Sequence, residues 1–240
     1  MLVEIWSDVV CPWCYIGKRQ FEAALASFPH RDEVTVEWRS FELDPDAPTR
    51  RQLSTKEQLA KKYGMTEDQA RAATDRVTSV ATEVGLDFRW DDAKSGNTFD
   101  AHRLIHLAAT HGLGDAAKEA LMAAYFTHGE PIGERAALEQ VAKEVGLDAD
   151  EVRAALSDGA FADEVRGDEQ LAGELGISAV PFFVIDRAIG VPGAQTPDVL
   201  LSALEQGWSK SHPLSIVSGT DDGSDISDSR DACSDGSCAI

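Results

Sequence analysis

The chain has 240 residues and carries 42 acidic against 22 basic side chains, a net charge of −20 at pH 7. A surface field of that sign repels phosphate backbones and anionic lipids, so nucleic acids and membranes are disfavoured as partners. Hydrophobic residues make up 43% and charged residues 27%, near the globular average, and four cysteines are too few for a disulfide framework.

The cysteines form two close pairs, Cys11-x2-Cys14 near the start of the chain and Cys233-x4-Cys238 near its end. The first eight residues lack the basic region and cleavage site of a secretory signal, and no stretch is apolar enough to span a membrane. We therefore expect a cytoplasmic protein, in which a reducing environment would not maintain structural disulfides. The spacing of the cysteines then becomes their informative feature.

The first 40 residues predict a strand, a helix and a second strand. Residues 2–7 alternate and are rich in β-formers. Phe21 and Leu25 then lie on one helix face, and Val34 and Val36 alternate with polar residues along a strand. The pattern indicates a βαβ unit.

From about residue 54 to about residue 175, helix signals replace strand signals. Ser54 with Glu57 and Thr66 with Gln69 are capping-box pairs, which begin helices. Apolar stripes at helical spacing follow at Ala101, Leu104, Ile105 and Ala108, at Ala117, Leu121, Ala124 and Tyr125, and at Leu138, Val141 and Val145. These stripes predict short amphipathic helices that pack on one another.

The pentapeptide Glu-Val-Gly-Leu-Asp occurs at residues 83–87 and again at 144–148. We interpret it as a helix-stop signal rather than a structural repeat. Glycine tolerates the left-handed conformation just past the last turn, and the apolar residue after it packs back on the helix.

Strand patterns return at residues 180–185 and 188–191. A helix then begins with Thr196 as its cap and Pro197 in its first turn. These strands complete the sheet that the N-terminal βαβ unit begins, so the predicted fold class is α/β with a large all-helical insertion.

Three parts are predicted along the chain. Residues 1–44 and 176–210 form a discontinuous α/β domain, and residues 45–175 form the helical insertion domain. Residues 211–240 form a flexible acidic tail. From Ser215 onward the tail holds six Asp, seven Ser and one Arg with no aromatic residue, so it has too little apolar area to fold.

The segment Cys11-Pro12-Trp13-Cys14 lies where a predicted strand gives way to a predicted helix, the setting of a redox-active cysteine pair. Free N–H groups and the dipole at a helix N-terminus stabilise a thiolate, which predicts a lowered pKa for Cys11 and makes it the nucleophile. Cys14, one turn later and deeper, would resolve the mixed disulfide. Pro12 suits the first helical turn, where its missing N–H is no loss.

Metal binding is the main competing interpretation. A zinc site at the N-terminal pair would need two further ligands, and the nearest cysteines are Cys233 and Cys238 in the tail. His102 and His106 lie four residues apart on one helix, but Arg103 occupies the place of the catalytic glutamate of zinc proteases. We expect no metal site, and we expect both histidines to be packing or surface residues.

Three segments resemble a known family: Ser-Asp-Val-Val-Cys-Pro-Trp-Cys-Tyr-Ile-Gly near the N-terminus, Asn-Thr-Phe-Asp-Ala-His-Arg-Leu at 97–104, and Gly-Ile-Ser-Ala-Val-Pro-Phe-Phe at 176–183. Over about residues 1–208 the chain resembles the FrnE-like branch of the DsbA family, a group that includes 2-hydroxychromene-2-carboxylate isomerases and kappa-class glutathione transferases. The resemblance implies a thioredoxin-like fold whose helical insertion lies beside the active site like a lid.

The resemblance also implies roles for individual residues. Cys11 would be the nucleophile, Cys14 the resolving thiol, and Val180-Pro181 a cis-proline loop that faces them. From the residues alone, a trans proline at the start of a strand is the expectation for Pro181. The substrate-binding residues would be Pro12, Trp13, Val180 and Pro181.

The expected activity is thiol–disulfide exchange, as an oxidoreductase or isomerase, on protein or peptide disulfides, with no cofactor beyond the redox pair and with glutathione as an optional co-substrate. Relatives that use glutathione typically place a serine where Cys11 stands, so the cysteine favours dithiol exchange. The alternatives are a glutathione-dependent isomerase or transferase acting on a small aromatic substrate, and a holdase chaperone.

The tail pair has its own alternatives. Cys233 and Cys238 enclose an Asp-Gly turn that could bring their sulfurs together as an auxiliary redox pair on a tether. They could equally stay two exposed thiols without a partner, or join Cys11 and Cys14 in a four-thiolate zinc site. The sequence fits a monomer or a homodimer.

Overall fold

The structure, a computed structural model, describes residues 1–213. Within this range strands β1 to β4 span Leu2–Ser7, Thr35–Ser40, Phe182–Ile185 and Ile189–Pro192. Helices α1 to α9 span Pro12–Ser27, Thr55–Tyr63, Glu67–Glu83, Phe99–Thr110, Gly114–Phe126, Arg135–Glu144, Ala149–Asp158, Ala162–Glu174 and Pro197–Ser211. A single 3-10 turn, Arg31–Glu33, precedes β2.

The four described strands form one mixed sheet in the order β2-β1-β3-β4. β1 pairs in parallel with β2 and antiparallel with β3, and β3 pairs antiparallel with β4. Ile5 of β1 lies opposite both Trp38 of β2 and Phe183 of β3. β1 is therefore a central strand, and the loop that leaves its C-terminal end starts from the middle of the sheet.

Alternation along β1 separates two cores. Val3 and Ile5 pack with buried residues of α1 and α9 on one face of the sheet. Trp6 points to the other face and packs with Ala172 of α8 and with Val184. The sheet is thus covered by helices on both faces, and α1 begins at the edge where β1 ends.

Seven helices, α2 to α8, separate β2 from β3 in the chain. Their largest core includes Leu104 and Leu121 and also takes in Cys14 and Tyr15 of α1. The α/β class with an all-helical insertion is confirmed, whereas the boundaries at residues 44, 175 and 210 stay predictions. Among residues 1–213 no helix is long and apolar enough to cross a membrane.

Helix and strand ends follow the predictions with local exceptions. Both capping boxes form, with Ser54 and Thr66 as the caps. β3 begins at Phe182, two residues later than the predicted strand, directly after the cis peptide bond between Val180 and Pro181. Thr196 is the N-cap residue of α9, but its side chain makes no capping hydrogen bond.

Candidate active site

Cys11 lies at the junction of β1 and α1. It is the N-cap residue of α1, with Pro12 in the first helical position. Its carbonyl oxygen accepts hydrogen bonds from the N–H groups of Cys14 at 3.1 Å and Tyr15 at 3.3 Å, while its own N–H donates to Asp8 O at 3.2 Å. The missing N–H of Pro12 is therefore no loss, and the first turn of α1 holds the two cysteines next to each other.

The cysteines and the two residues between them differ in exposure. Cys11 is 5% exposed and Cys14 is 1% exposed, and both are free thiols. Trp13 is 41% exposed, whereas Pro12 is half-buried. The sulfurs are thus shielded from solvent while the indole of Trp13 projects from the same turn.

The loop before β3 covers Cys11. The Sγ of Cys11 donates a hydrogen bond to Val180 O at 3.7 Å, and the Val180–Pro181 bond is cis, as the family resemblance implies. Pro181 O accepts a hydrogen bond from Gly193 N at 2.8 Å, which ties the loop to the residues after β4. The cysteine thiol and the cis-proline loop are therefore direct neighbours in the fold.

The predicted lowering of the Cys11 pKa is wrong for this closed, reduced site. The hydrogen bond with Cys14 and the burial of the thiol raise the pKa of Cys11 well above its ordinary value, and the charge of Asp8 adds to the effect. Cys11 does lie at the N-terminus of a helix, as the sequence predicts. Sequence reasoning placed Cys14 next to Cys11, but it did not anticipate the burial of the Cys11 thiol or the nearby charge of Asp8.

A buried acid lies beneath the redox loop. Asp8 is 1% exposed, its Oδ2 accepts a hydrogen bond from Leu43 N at 2.8 Å, and its Oδ1 lies 3.4 Å from Nε2 of His102. Burial would raise the pKa of Asp8, but His102, the Leu43 N–H and Lys118 outweigh it and lower that pKa. Burial lowers the pKa of His102. Asp8 Oδ1 and His102 Nε2 face each other without a hydrogen-bond partner among the described residues.

Lys118 of α5 is fully buried and donates a hydrogen bond to Ser7 O, the last residue of β1, at 3.0 Å. Burial lowers the pKa of Lys118 to about 8, and the charges of Cys14, Asp8 and Cys11 oppose that shift. Sequence reasoning missed this residue. The available signal was its place on the apolar stripe of α5, because Lys118 precedes Leu121 by three residues and Tyr125 by seven.

The two histidines of α4 have separate partners. His102 faces Asp8, whereas Nε2 of His106 lies 3.0 Å from Ser40 Oγ and 3.1 Å from Asp168 Oδ2. Each helps to tie α4 to another part of the fold. Among residues 1–213 no cluster of three His, Cys, Asp or Glu side chains could hold a metal ion. The predicted auxiliary pair, Cys233 and Cys238, lies outside the described residues.

The fold and the paired cysteines define the class of protein. Residues 2–205 match the model of the DSBA-like thioredoxin domain family. The chain therefore belongs to that family, which is a family of thiol–disulfide oxidoreductases with a thioredoxin-like fold.

Individual relatives agree with this assignment. The crystal structure of a probable DsbA oxidoreductase from Streptomyces coelicolor is 45% identical and has a TM-score of 0.85, with 95% of this chain and 100% of that chain covered. An uncharacterised protein, YwbO, of Bacillus subtilis (strain 168) is 29% identical over 204 residues, 84% of this chain and 94% of YwbO. The cytosolic disulfide reductase DsbM of Pseudomonas aeruginosa is 19% identical, with a TM-score of 0.61 over 88% of this chain and 100% of that chain, and shows a shared fold.

Proposed function

We propose that this chain catalyses thiol–disulfide exchange on protein or peptide disulfides, with Cys11 as nucleophile and Cys14 as resolving thiol. The observation that carries the proposal is the position of the Cys11 sulfur. It lies at the N-terminus of α1 and 3.7 Å from the carbonyl oxygen of Val180, beside a cis proline. A nucleophile thus lies next to a backbone group with which an extended peptide can pair.

The exchange takes two displacements. The thiolate of Cys11 attacks one sulfur of the substrate disulfide, a mixed disulfide forms, and the other substrate sulfur leaves as a thiolate that takes a proton from water. Cys14 then loses its proton and attacks the Cys11 sulfur. The Cys11–Cys14 disulfide forms, the bound half of the substrate leaves as a second thiol, and two electrons have passed from the enzyme to the substrate.

The surroundings of Cys11 suit a peptide rather than a small ligand alone. Trp13 is 41% exposed and Leu43 is 40% exposed, and the N–H of Leu43 donates to Asp8 in the loop that leads to Cys11. Exposed apolar side chains of this size beside a reactive group offer contacts to an apolar substrate segment. We assign Trp13 and Leu43 to substrate binding, together with Pro12 and the Val180-Pro181 loop.

Reduction or isomerisation of disulfides is the direction we propose. In a cytoplasmic setting, an oxidant of about −120 mV facing a glutathione pool of about −220 mV would lie ~100 mV, or about 4.6 kcal/mol, on the reduced side. Glutathione is then the reductant we propose for the Cys11–Cys14 disulfide. An auxiliary role for Cys233 and Cys238 stays part of the proposal, as an intramolecular relay to that disulfide.

The test is insulin reduction driven by dithiothreitol, together with refolding of scrambled ribonuclease. We expect the wild-type chain to accelerate both reactions and Cys11→Ser to abolish them. Cys14→Ser should keep the first displacement and accumulate a mixed disulfide with the substrate, which mass spectrometry detects. Unchanged activity in Cys11→Ser would refute the assignment.

A matched variant addresses the glutathione-dependent alternative. Cys11→Ser imitates the serine typical of the glutathione-using relatives, so calorimetric titration of that variant with glutathione measures whether the site binds the tripeptide. Activity on an aromatic substrate together with such binding would replace dithiol exchange as the function.

A further inference from the structure

Residues 41–54, here called the β2–α2 loop, join the sheet to the helical insertion. Near the start of this loop, the N–H of Leu43 donates to Oδ2 of Asp8 at 2.8 Å, in the stretch of chain that leads to the redox pair. Near its end, the N–H of Arg51 donates to the carbonyl oxygen of Ser95 at 3.0 Å, in the segment before α4. The β2–α2 loop therefore connects the redox site directly with the insertion.

The side chain of Asn97 holds the middle of the β2–α2 loop. Its Nδ2 donates a hydrogen bond to Pro45 O at 3.0 Å, and its backbone N–H donates to Pro48 O at 2.9 Å. Its Oδ1 accepts a hydrogen bond from Phe99 N, in the first turn of α4, at 2.9 Å. An amide supplies both a donor and an acceptor, so this one side chain couples the start of α4 to the loop.

Two glycines let the β2–α2 loop lie close against the insertion. A β-carbon placed on Gly96 or on Gly133 would overlap the carbonyl oxygen of Thr49. Neither of these glycines has a positive φ, so the close approach of the loop, and not the backbone conformation, requires glycine there. Because Asn97 directly follows Gly96, the loop is packed tightly at the point where Asn97 holds it.

Leu43 is the exposed apolar residue of this loop that lies next to the redox site. Its side chain is 40% exposed although its N–H is bonded to Asp8. Residues 44–47 form a turn directly after it, and Asn97 holds this turn through Pro45 O. Asn97 thus limits the movement of the chain that carries Leu43, and an apolar side chain that is already held in place loses less conformational entropy when a substrate binds to it.

We propose that Asn97 is a positioning residue for substrate recognition, which holds the β2–α2 loop so that Leu43 forms an apolar contact surface beside the redox pair. The substrates that gain from this surface are protein or peptide disulfides with an apolar side chain near the reacting cysteine. This inference rests on the proposed dithiol exchange and deepens it, because it names the part of the site that distinguishes such substrates from small disulfides.

The length of a substrate decides whether it reaches Leu43. A small disulfide is attacked at Cys11 and ends close to its own sulfurs, so the loop adds nothing to its binding. A peptide that pairs with the carbonyl group of Val180, 3.7 Å from the Cys11 sulfur, is long enough to contact exposed apolar side chains as well. Loosening the loop should therefore weaken the binding of long substrates and leave the exchange at the sulfurs unchanged.

The experiment compares Asn97→Asp with the control Glu134→Gln. At neutral pH aspartate keeps an acceptor for Phe99 N but has no donor for Pro45 O, so it releases the loop without removing the bond at the start of α4. Glu134→Gln removes an ion pair with Arg50 of the same loop, in which both side chains are exposed.

The pre-reduced protein is mixed with excess insulin or with the small aromatic disulfide dithionitrobenzoate, and the oxidation of Cys11 and Cys14 is followed by alkylation and mass spectrometry. We expect Asn97→Asp to raise the half-saturating concentration of insulin by roughly fivefold, the scale of one hydrogen bond, with a limiting rate within about twofold of the parent. The reaction with dithionitrobenzoate should stay within about twofold of the parent. Glu134→Gln should change neither reaction.

A double-mutant cycle tests whether Asn97 acts through Leu43. Leu43→Ala alone should weaken insulin binding, and Asn97→Asp should add no further loss in that background, because the two substitutions remove the same contact. Hydrogen exchange adds a readout that does not depend on activity. The amides of residues 43–49 should exchange faster in Asn97→Asp and at the parental rate in Glu134→Gln.

Asn97→Ser is the second variant, since serine keeps an acceptor for Phe99 N and is too short to reach Pro45 O. The inference is overturned if the folded Asn97 variants bind insulin like the parent, if they lose both substrates equally, or if the loss is undiminished in the Leu43→Ala background. Failure of the proposed function is a different result, in which the parent itself does not reduce insulin. Hydrogen exchange still measures the effect of Asn97 on the loop in that case.

Discussion

A β-carbon placed on Gly17 would lie 2.9 Å from Cγ of Pro181. Gly17 is inside α1, one turn after Cys14, and Pro181 is the cis proline whose neighbour Val180 contacts the Cys11 sulfur. The helix that carries the cysteines and the loop that covers them are therefore in contact at a position where no side chain fits.

The first prediction uses this contact. Gly17→Ala should displace the Val180-Pro181 loop and lower the rate of insulin reduction several-fold, because a carbon 2.9 Å from a ring atom forces one of the two to move. Alanine also improves helix propensity by about 1 kcal/mol, so a fall in thermal stability would show that the steric effect dominates.

The control for that variant is Gly167→Ala in α8, where an added β-carbon meets no other atom within 4 Å. This substitution should raise the free energy of unfolding by up to about 1 kcal/mol and leave the activity unchanged. If Gly17→Ala and Gly167→Ala had equal effects on activity and stability, the contact between Gly17 and Pro181 would not matter for function.

The second prediction concerns Trp13. Trp13→Ala should slow the reduction of insulin by roughly tenfold, since it removes a large apolar contact to a protein substrate, while the reaction with a small aromatic disulfide stays within about twofold of wild type. Tyr63→Ala is the control, because Tyr63 is a 59% exposed aromatic residue on α2. Equal losses of rate with insulin and with the small disulfide would show that Trp13 acts in the exchange reaction itself rather than in binding the protein substrate.

Features that depend on a few consecutive residues could be predicted from the sequence. The repeated Glu-Val-Gly-Leu-Asp segment ends α3 and α6 in the same way, with Gly85 at φ 79° and Gly146 at φ 91°. The next residue in each case, Leu86 or Leu147, donates its N–H to the carbonyl oxygen five residues earlier at 2.9 Å. Such a helix end is local, so the sequence is enough to predict it.

Features that need the tertiary fold could not be predicted in the same way. The setting of Cys11 at a helix N-terminus is local and was predicted, but its pKa depends on Cys14, Asp8 and the depth of burial, and the predicted direction was wrong. Lys118 is about a hundred residues from the loop that it contacts. A lysine on an apolar stripe signals burial, but only the packing of α5 against β2 and the hydrogen bond to Ser7 O show where its ammonium group lies.

The third prediction is a stability effect of Lys118. Lys118→Met should raise the free energy of unfolding at pH 7 by ~2 kcal/mol, because it removes a buried charge that forms no ion pair with a carboxylate of residues 1–213 and replaces it with an apolar chain of similar length. The loss of the hydrogen bond to Ser7 offsets part of this gain. Lys18→Met should instead destabilise the fold, because it removes a buried cation that pairs with Glu22, Asp115 and Glu119. Arg19 still pairs with Glu22 and Glu119, which limits the loss.

The pH dependence of that gain has a definite sign. The pKa of Lys118 falls from 10.5 to about 8 on folding, so the unfolded chain binds the extra proton between those values and wild-type stability rises with pH there. The advantage of Lys118→Met should therefore be full below about pH 8 and shrink towards pH 10.5. Urea unfolding at several pH values measures the stability difference between Lys118→Met and wild type. A difference independent of pH would contradict the lowered pKa of Lys118 in the folded chain.

The fourth prediction compares two glutamates that share Arg39. Glu4 has a side chain that is 1% exposed and bonds to Arg39 and Arg187, whereas Glu37 bonds to Arg39 with 45% of its side chain exposed. Glu4→Gln should lower the free energy of unfolding at pH 7 by about 2 kcal/mol, the scale of buried hydrogen bonds to a charged group. Glu37→Gln should cost at most about 1 kcal/mol, because its ion pair is largely solvated.

The effect of Glu4→Gln should also depend on pH. Burial would raise the pKa of Glu4, but hydrogen bonds from Arg187 and Arg39 outweigh burial and lower it below 4.5. The stability that Glu4 contributes is therefore present above pH 4.5 and is lost as the pH falls through its folded value. The difference in unfolding free energy between wild type and Glu4→Gln should shrink as the pH falls below about 4.5. Denaturant unfolding between neutral and acidic pH measures this difference, and a difference that persists undiminished in acid would show that the charge of Glu4 is not its source.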